Sequence, residues 1–209
     1  GGRLSVGVIM GAVPLLTQAL TELRLKQPQL SVELVENTSA TLLGLLDQGR
    51  LDLAICRTSV GQRSDAYDVI ELSDEPLAVV ASKDHPLAGA ESVQLAQLSD
   101  DRWLVYPKDM PMRQALEHEL NEAGLQIPRY PLETSSIFAT ILLVQQDPTL
   151  LAVIPMEVAG FCQQFDLLVK LPVSMRALIE PFGVISRAGA DLSPAATLLI
   201  NALNQDLIT

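Results

Sequence analysis

Residues 4–55 read LSVGVIMGAVPLLTQALTELRLKQPQLSVELVENTSATLLGLLDQGRLDLAI, and their pattern decides the fold class. Leu4, Val6, Val8 and Ile9 form a short apolar run that suits a strand buried on both faces. Gly11 interrupts it. Leu16, Ala19, Leu20 and Leu23 then recur at helical spacing, with Thr21, Glu22, Arg24 and Lys26 off that stripe. Pro28 ends the helix by pushing its predecessor out of the helical region. Leu30, Val32, Leu34 and Val35 suit a second strand. Thr38 or Ser39 can cap a second helix that turns Leu42, Leu45 and Leu46 inward, and Gly49 suits its left-handed C-terminal cap. Residues 51–55 are a third strand, running into Cys56-Arg57-Thr58. Strands alternating with helices across short connections call for a parallel sheet, because parallel strands need crossovers.

Sheets of this kind take ligands beyond the carboxyl ends of their strands. Here those ends are Met10-Gly11-Ala12-Val13 and Cys56-Arg57-Thr58-Ser59. Gly11 lets backbone approach a ligand closely. The N–H groups that open the first helix are expected to be unsatisfied and to carry positive partial charge. The pattern therefore points to a small-molecule site that favours a carboxylate or similar anion. The plainer alternative is that Gly11 only makes a turn.

The 209 residues suffice for one large or two small domains. Lys and Arg number 14 against 25 Asp and Glu, a net charge of −11, which repels nucleic acid and anionic membrane. Hydrophobic residues make up 48%, enough to build a core. No apolar run approaches the ~20 residues that span a bilayer. Gly1-Gly2-Arg3 leads directly into a strand rather than a signal peptide. It reads as an expression scar, so the natural chain is expected to extend upstream. Cys56 and Cys162 lie far apart with no metal-ligand spacing around either, which suits two reduced, buried thiols in a cytoplasmic protein. No metal site and no cofactor are expected.

Residues 59–68 are polar and aperiodic, as a surface loop at the mouth of the proposed site would be. Residues 69–72 and 77–81 are extended, separated by the turn Ser73-Asp74-Glu75-Pro76. A short helix over 92–98, capped by Ser92, precedes a strand at Trp103-Leu104-Val105-Tyr106. A helix opens at Pro111, carries Ala115, Leu116, Leu120 and Ala123 on its apolar stripe, and closes at Gly124. Residues 129–132 are extended. Thr134-Ser135-Ser136 offers three caps for a helix reaching Gln146. Strands follow at 150–154, 167–171 and 181–186, with a helix from Pro155 to about Cys162 and a terminal helix opened by Ser193-Pro194. Neither end portion can build a full core alone. The economical arrangement is therefore two α/β lobes: residues 1–74 with 180–209, and residues 75–179. The chain crosses between them near 74–76 and 178–181, and hinge motion would close the lobes around a ligand.

Pro28, Gly49-Arg50-Leu51-Asp52-Leu53-Ala54-Ile55, His85-Pro86-Leu87-Ala88 and Ser193-Pro194-Ala195-Ala196 stand in an order and spacing that resemble the effector-binding domain of LysR-type transcriptional regulators. The resemblance covers nearly the whole chain. It implies a two-lobed fold like a type 2 periplasmic binding protein, an inducer site between the lobes, and an N-terminal winged helix-turn-helix that is absent here and would contact DNA. It also implies homodimers or homotetramers, with effector domains paired antiparallel through residues 17–27 and a helix of the second lobe. Apolar Leu25, just off the first helix's main stripe, suits that pairing.

Carried over by position, the resemblance assigns the effector site to Met10, Gly11 and Ala12 after the first strand, to Arg57 and Thr58 after the third, to Tyr106 and Lys108 in the second lobe, to Thr134, Ser135 and Ser136, and to Pro155 at the pocket floor. The side-chain hydroxyl common in the family's first segment is missing, so an anion there would meet backbone N–H groups. The family's glycine-rich stretch is replaced by Gln145-Gln146-Asp147-Pro148.

Arg57 can pair bidentately with a carboxylate; its alternative is a salt bridge to a nearby acid. One hydroxyl of Thr134, Ser135 and Ser136 is needed as a cap, leaving the others for a ligand. Tyr106 is either a ligand contact or a half-buried core ring. Lys108 is either a contact or a solvated charge. Asp52 is expected to be structural, and His85 and His118 isolated and exposed. No nucleophile elbow, phosphate-binding glycine loop or ligand cluster supports an enzyme. A periplasmic solute-binding protein is the alternative that shares this fold.

Overall fold

The computed structural model describes residues 2–58, 64–176 and 179–208. In chain order the elements are β1 (Arg3–Val8), α1 (Val13–Lys26), β2 (Ser31–Glu36), α2 (Ser39–Asp47), β3 (Leu53–Cys56), β4 (Tyr67–Ser73), β5 (Leu77–Ala81), β6 (Arg102–Trp103), α3 (Pro111–Glu122), α4 (Ile137–Gln146), β7 (Leu150–Pro155), α5 (Met156–Gln164), β8 (Val169–Leu171), β9 (Phe182–Arg187) and α6 (Pro194–Ile208). They form two compact units: Gly1–Asp74 with Glu180–Thr209, and Glu75–Ile179.

The first unit is a five-stranded sheet in the order β2-β1-β3-β9-β4. β1 runs parallel to β2 and β3, with Val6 opposite Leu34 and Leu53. β9 is antiparallel to both β3 and β4. The expected parallel arrangement thus holds for the first three strands, and the returning chain closes the sheet in the other direction. Leu4, Val6 and Val8 are fully buried, as are Leu16, Ala19, Leu199 and Leu203 of α1 and α6, and those two helices pack together. Gly7, on the other face of β1, lies against α2. A Cβ there would sit 2.7 Å from both Leu42 and Leu51, so only glycine lets the helix come this close.

Asp52 locks the register. Its N–H donates to the Ser5 carbonyl (2.9 Å), and its carboxylate accepts the Ser5 N–H (2.8 Å). The side chain thereby adds one rung to the parallel ladder before the strand proper begins. α2 starts with Thr38 accepting the Thr41 N–H and ends at Gly49, whose φ of +73° suits glycine. Arg187 of β9 reaches the carbonyls of Leu46 and Leu51 (2.8 and 2.7 Å), tying the last turn of α2 and the lead into β3 to β9.

The second unit is a four-stranded sheet in the order β6-β7-β5-β8. β5 is antiparallel to β7 and β8, and β6 is parallel to β7. Ala78, Val80, Ala152 and Ile154 pack with Val144 of α4 and with Ala159 and Cys162 of α5.

Several local expectations change. The segment expected to be a helix over 92–98 is a 3-10 turn over Leu95–Leu98, boxed by Gln94 and Gln97 rather than capped by Ser92. Val93 is instead bridged to Val173. The strand expected at 103–106 is regular only to Trp103; Val105 then bridges Glu133 alone. Residues 129–132 are irregular. Tyr67, expected in a loop, opens β4 and donates to Asp47 (2.8 Å). Residues 59–63 and 177–178, expected in the loop and at the second crossing, lie outside the described residues.

His85 is buried rather than exposed. Its Nε2 faces Asp101 at 3.0 Å and its Nδ1 accepts the Leu87 N–H at 3.0 Å, a network that assigns the ring proton to Nε2. The His-Pro-Leu-Ala stretch is therefore a turn held by its own histidine. His118 is exposed.

The Ser5–Asp52 exchange makes a direct stability prediction. Asp52→Ala should cost about 1.5–3 kcal/mol, the worth of a hydrogen bond to a charged group. Urea unfolding should show a lower midpoint at unchanged slope, and Asp52→Asn, which keeps an acceptor, should lose less.

Candidate functional site

In the first unit, the carboxyl ends of β1 and β3 are joined by the Ile9 N–H, which donates to the Ile55 carbonyl at 3.0 Å. Beyond Ile9 the chain makes a 3-10 turn over Met10–Ala12, all three residues buried. This turn corrects the expectation of open donors. The Ala12 N–H bonds the Ile9 carbonyl (3.1 Å), the Val13 N–H bonds that of Met10, and Pro14 has no N–H to offer. The helix start is therefore poorer in donors than a run of free N–H groups.

Arg57 follows β3 and is only 5% exposed. Its N–H donates to the Ser39 hydroxyl at the start of α2 (3.1 Å), and its Nε donates to the Glu180 carbonyl (3.0 Å). The backbone of Arg57 is thus tied to the start of α2, and its guanidinium is oriented by the Glu180 carbonyl. Thr58 is half-buried. Cys56, next to Arg57, has its thiol pushed up from 9.0 to about 12, chiefly by burial and against the opposing pull of Arg57 and Ser39. Burial likewise raises the Cys162 thiol. Thiolate chemistry at neutral pH is disfavoured at both.

In the second unit, Tyr106 is 2% exposed, deeper than a half-buried core ring, so its face offers no surface for a ligand to stack on in this form. Its phenol is raised above the ordinary value, first by burial and then by the charge of Glu75, itself buried. Lys108 is exposed in a turn and reads as a solvated charge. Pro155 is buried at the end of β7 opposite Leu77.

The three hydroxyls are shared out more fully than expected. Ser136 caps α4 through the Ala139 N–H (3.1 Å), and Thr134 accepts the Ser136 N–H (3.0 Å). Only the exposed Ser135 hydroxyl has no hydrogen bond among the described residues. The glycine-free turn after α4 is built by Asp147, which accepts the Thr149 hydroxyl (2.7 Å) and N–H (2.9 Å) and pairs with Arg102 at 2.5 Å. The Thr149 bonds, ahead of Arg102, hold its carboxyl below the usual value.

Within this unit, Thr134 and Tyr106 come together. Val105 and Glu133 form a parallel bridge, with Val105 N–H to Leu132 and Thr134 N–H to Val105, both 2.9 Å. Arg113, which sequence reasoning passed over, donates to the Tyr106 carbonyl (2.7 Å) and to Glu133 (3.3 Å). Its only sequence signal is an arginine flanked by the buried stripe of α3, with Glu117 one turn on. A separate groove of about 620 Å³ lies between residues 92–96, the end of α3 and the Pro172–Arg176 region; none of the expected site residues lines it. Among the described residues, no group of three His, Cys, Asp or Glu side chains could hold a metal ion, and no helix is long and apolar enough to cross a membrane.

Comparison with known proteins gives one answer. The family model described as the LysR substrate binding domain matches residues 1–207. The HTH-type transcriptional regulator GbpR of Azospirillum brasilense is 27% identical over 204 residues, covering 97% of this chain and 59% of that protein. The chain thus spans little over half of that relative's length. Among solved structures, the CcmR regulatory domain of Synechocystis PCC6803 in complex with 2-PG superposes with a TM-score of 0.81 at 21% identity, covering 99% of this chain and 98% of that one. The effector binding domain of QuiR in complex with shikimate gives 0.77 at 16% identity, covering 99% and 97%.

The raised thiol makes stability pH-dependent. A buried thiol with a folded pKa above its unfolded one binds its proton more tightly when folded, so its contribution is present below pH 9.0 and is lost as pH climbs toward about 12. Denaturation curves across that window should show falling stability, with the fall reduced in Cys56→Ala.

Proposed function

This chain belongs to the LysR substrate-binding-domain family, and on that premise we propose that it is the ligand-sensing part of a LysR-type transcriptional regulator whose effector is a small organic anion such as a sugar acid or aromatic acid. The observation that carries the reading is Arg57: its backbone N–H is held by the Ser39 hydroxyl, and its buried guanidinium is oriented by the Glu180 carbonyl, at the carboxyl end of a parallel strand. A buried guanidinium at such a strand end is matched best by an anion. Gly11 and Thr58 from the first unit and Ser135, with the α4 N-terminus, from the second are the other proposed contacts. Tyr106 and Pro155, both buried, back the site from behind, and Lys108 is a peripheral charge.

In this reading the effector bridges the two units, favours their closed arrangement, and so biases a DNA-binding domain upstream of this chain through differential affinity for two states. The acidic balance of the chain fits a part that leaves DNA contact to that domain. The family match supports regulation in the cytoplasm over periplasmic solute binding. Homodimers or tetramers follow the family pattern. Leu25 of α1, 80% exposed, and Phe138 of α4, 69% exposed, are apolar surfaces that pairing of two copies would cover.

The test is a thermal-shift screen of sugars, sugar acids and aromatic acids. A ligand at 100-fold its dissociation constant should stabilise the chain by about 2.7 kcal/mol, and Arg57→Met should abolish the shift while remaining folded. An anion hit that stabilises Arg57→Met equally would contradict the proposed site. Sedimentation of the same material should show dimer for the parent and monomer for Leu25→Glu with Phe138→Glu; a parent that stays monomeric at high concentration would contradict the pairing.

A further inference from the structure

Arg113 is 5% exposed, and its neighbours on α3, Met112 and Leu116, are buried as well. Most charges on an exposed helix point to water, and a guanidinium is kept inside only where its donors are matched. Here they are matched in three directions. Nη1 donates to the Tyr106 carbonyl at 2.7 Å and to Glu133 Oε1 at 3.3 Å, and Nε donates to Glu117 Oε1 at 2.8 Å. The two carboxylates remain 44% and 50% exposed, so the charge pair is solvated at its rim and dry at the arginine.

The acceptors identify what the arginine is for. Tyr106 opens the Tyr106-Pro107-Lys108 segment, and Glu133 immediately precedes Thr134, Ser135 and Ser136, of which Ser136 caps α4. Besides Arg113, these segments are tied by the Val105–Glu133 bridge with its two backbone hydrogen bonds. A bridge of that size at the edge of a sheet opens easily. A planar guanidinium that bonds one segment's carbonyl and the other's carboxylate from the same nitrogen holds the pair in one geometry.

Resting on the effector-binding reading above, we propose that Arg113 is the positioning residue of the second unit's half of the effector site. Its guanidinium fixes the 105–106 and 133–136 segments as one rigid piece, so that the Ser135 hydroxyl and the N-terminus of α4 meet the ligand already aligned. Lysine cannot replace it, because a single ammonium lacks the fork that reaches Tyr106, Glu133 and Glu117 together.

The experiment compares the parent with Arg113→Lys, Arg113→Met and Glu117→Gln, the last leaving the bonds to Tyr106 and Glu133 in place. Two quantities are read: amide hydrogen exchange at Val105, Thr134 and Ala139, and calorimetric affinity for two probes, D-gluconate and benzoate. Both Arg113 variants should keep a cooperative unfolding transition, exchange roughly tenfold faster at those amides than the parent, and bind the responding probe roughly tenfold more weakly, a factor equivalent to one charge-assisted hydrogen bond. Glu117→Gln should stay near the parent on both counts. Parental exchange rates in folded Arg113→Met would overturn the proposal. So would faster exchange with unchanged affinity, since Arg113 would then be structural only. If both Arg113 variants fail to fold, Glu133→Ala, which removes that acceptor and leaves the guanidinium on Tyr106 and Glu117, carries the same comparison. Failure of the parent to bind either probe counts against the choice of ligand class, and the exchange comparison still decides the clamp.

Discussion

The reciprocal bond between Ser5 and Asp52 sits where β1 and β3 first come into register, and the candidate site of the first unit depends on that register. A parallel pair has no hairpin to fix its alignment, and a slip of one residue would turn every side chain to the opposite face. Asp52 prevents the slip by answering the Ser5 N–H with its carboxylate and the Ser5 carbonyl with its own N–H. Val6 then meets Leu53, and Val8 meets Ile55. The two strands end level, Ile9 bonds Ile55, and Arg57 emerges beside the Met10–Ala12 turn. The acid in the Leu51-Asp52-Leu53 stretch is thus needed by the backbone rather than by a ligand.

Charge is handled in a consistent way. The chain is strongly acidic as a whole, yet two of its arginines, Arg57 and Arg113, are among its buried polar residues. Each donates to at least one backbone carbonyl, and each stands beside a segment proposed to meet the effector. The carbonyl bond fixes the orientation of each guanidinium, and Arg113 is in addition paired with the carboxylates of Glu117 and Glu133. Cys56 shows the opposite treatment of an ionisable group. Burial outweighs the help of neighbouring Arg57, and the thiol stays protonated.

The regular elements of the first unit were legible in the sequence because each carries its own punctuation. Pro28 follows α1, Thr38 caps α2, Gly49 closes it at positive φ, and Ser193 accepts the Ala196 N–H at the start of α6. The ordered motifs also gave the family. What the sequence concealed was tertiary. Ser92 looks like a cap, but Val93 next to it is taken by a bridge to Val173, a partner no local pattern announces. His85 looks isolated until Asp101 folds against it. Thr134, Ser135 and Ser136 look like three spare hydroxyls, whereas two of them hold the entry to α4. Arg113 reads as an ordinary helix-surface charge because its acceptors, Tyr106 and Glu133, lie in other segments.

The most direct test of the account is where an anion lands. Backbone amide resonances of isotopically labelled protein, followed during titration with a sugar acid or aromatic acid from the screen, report each residue separately. The account predicts saturable shifts at Gly11, Arg57, Thr58, Ser135 and Ser136 with one shared dissociation constant. Shifts confined to the groove around Gln94, His118 and Arg176, with those five amides unmoved, would contradict it.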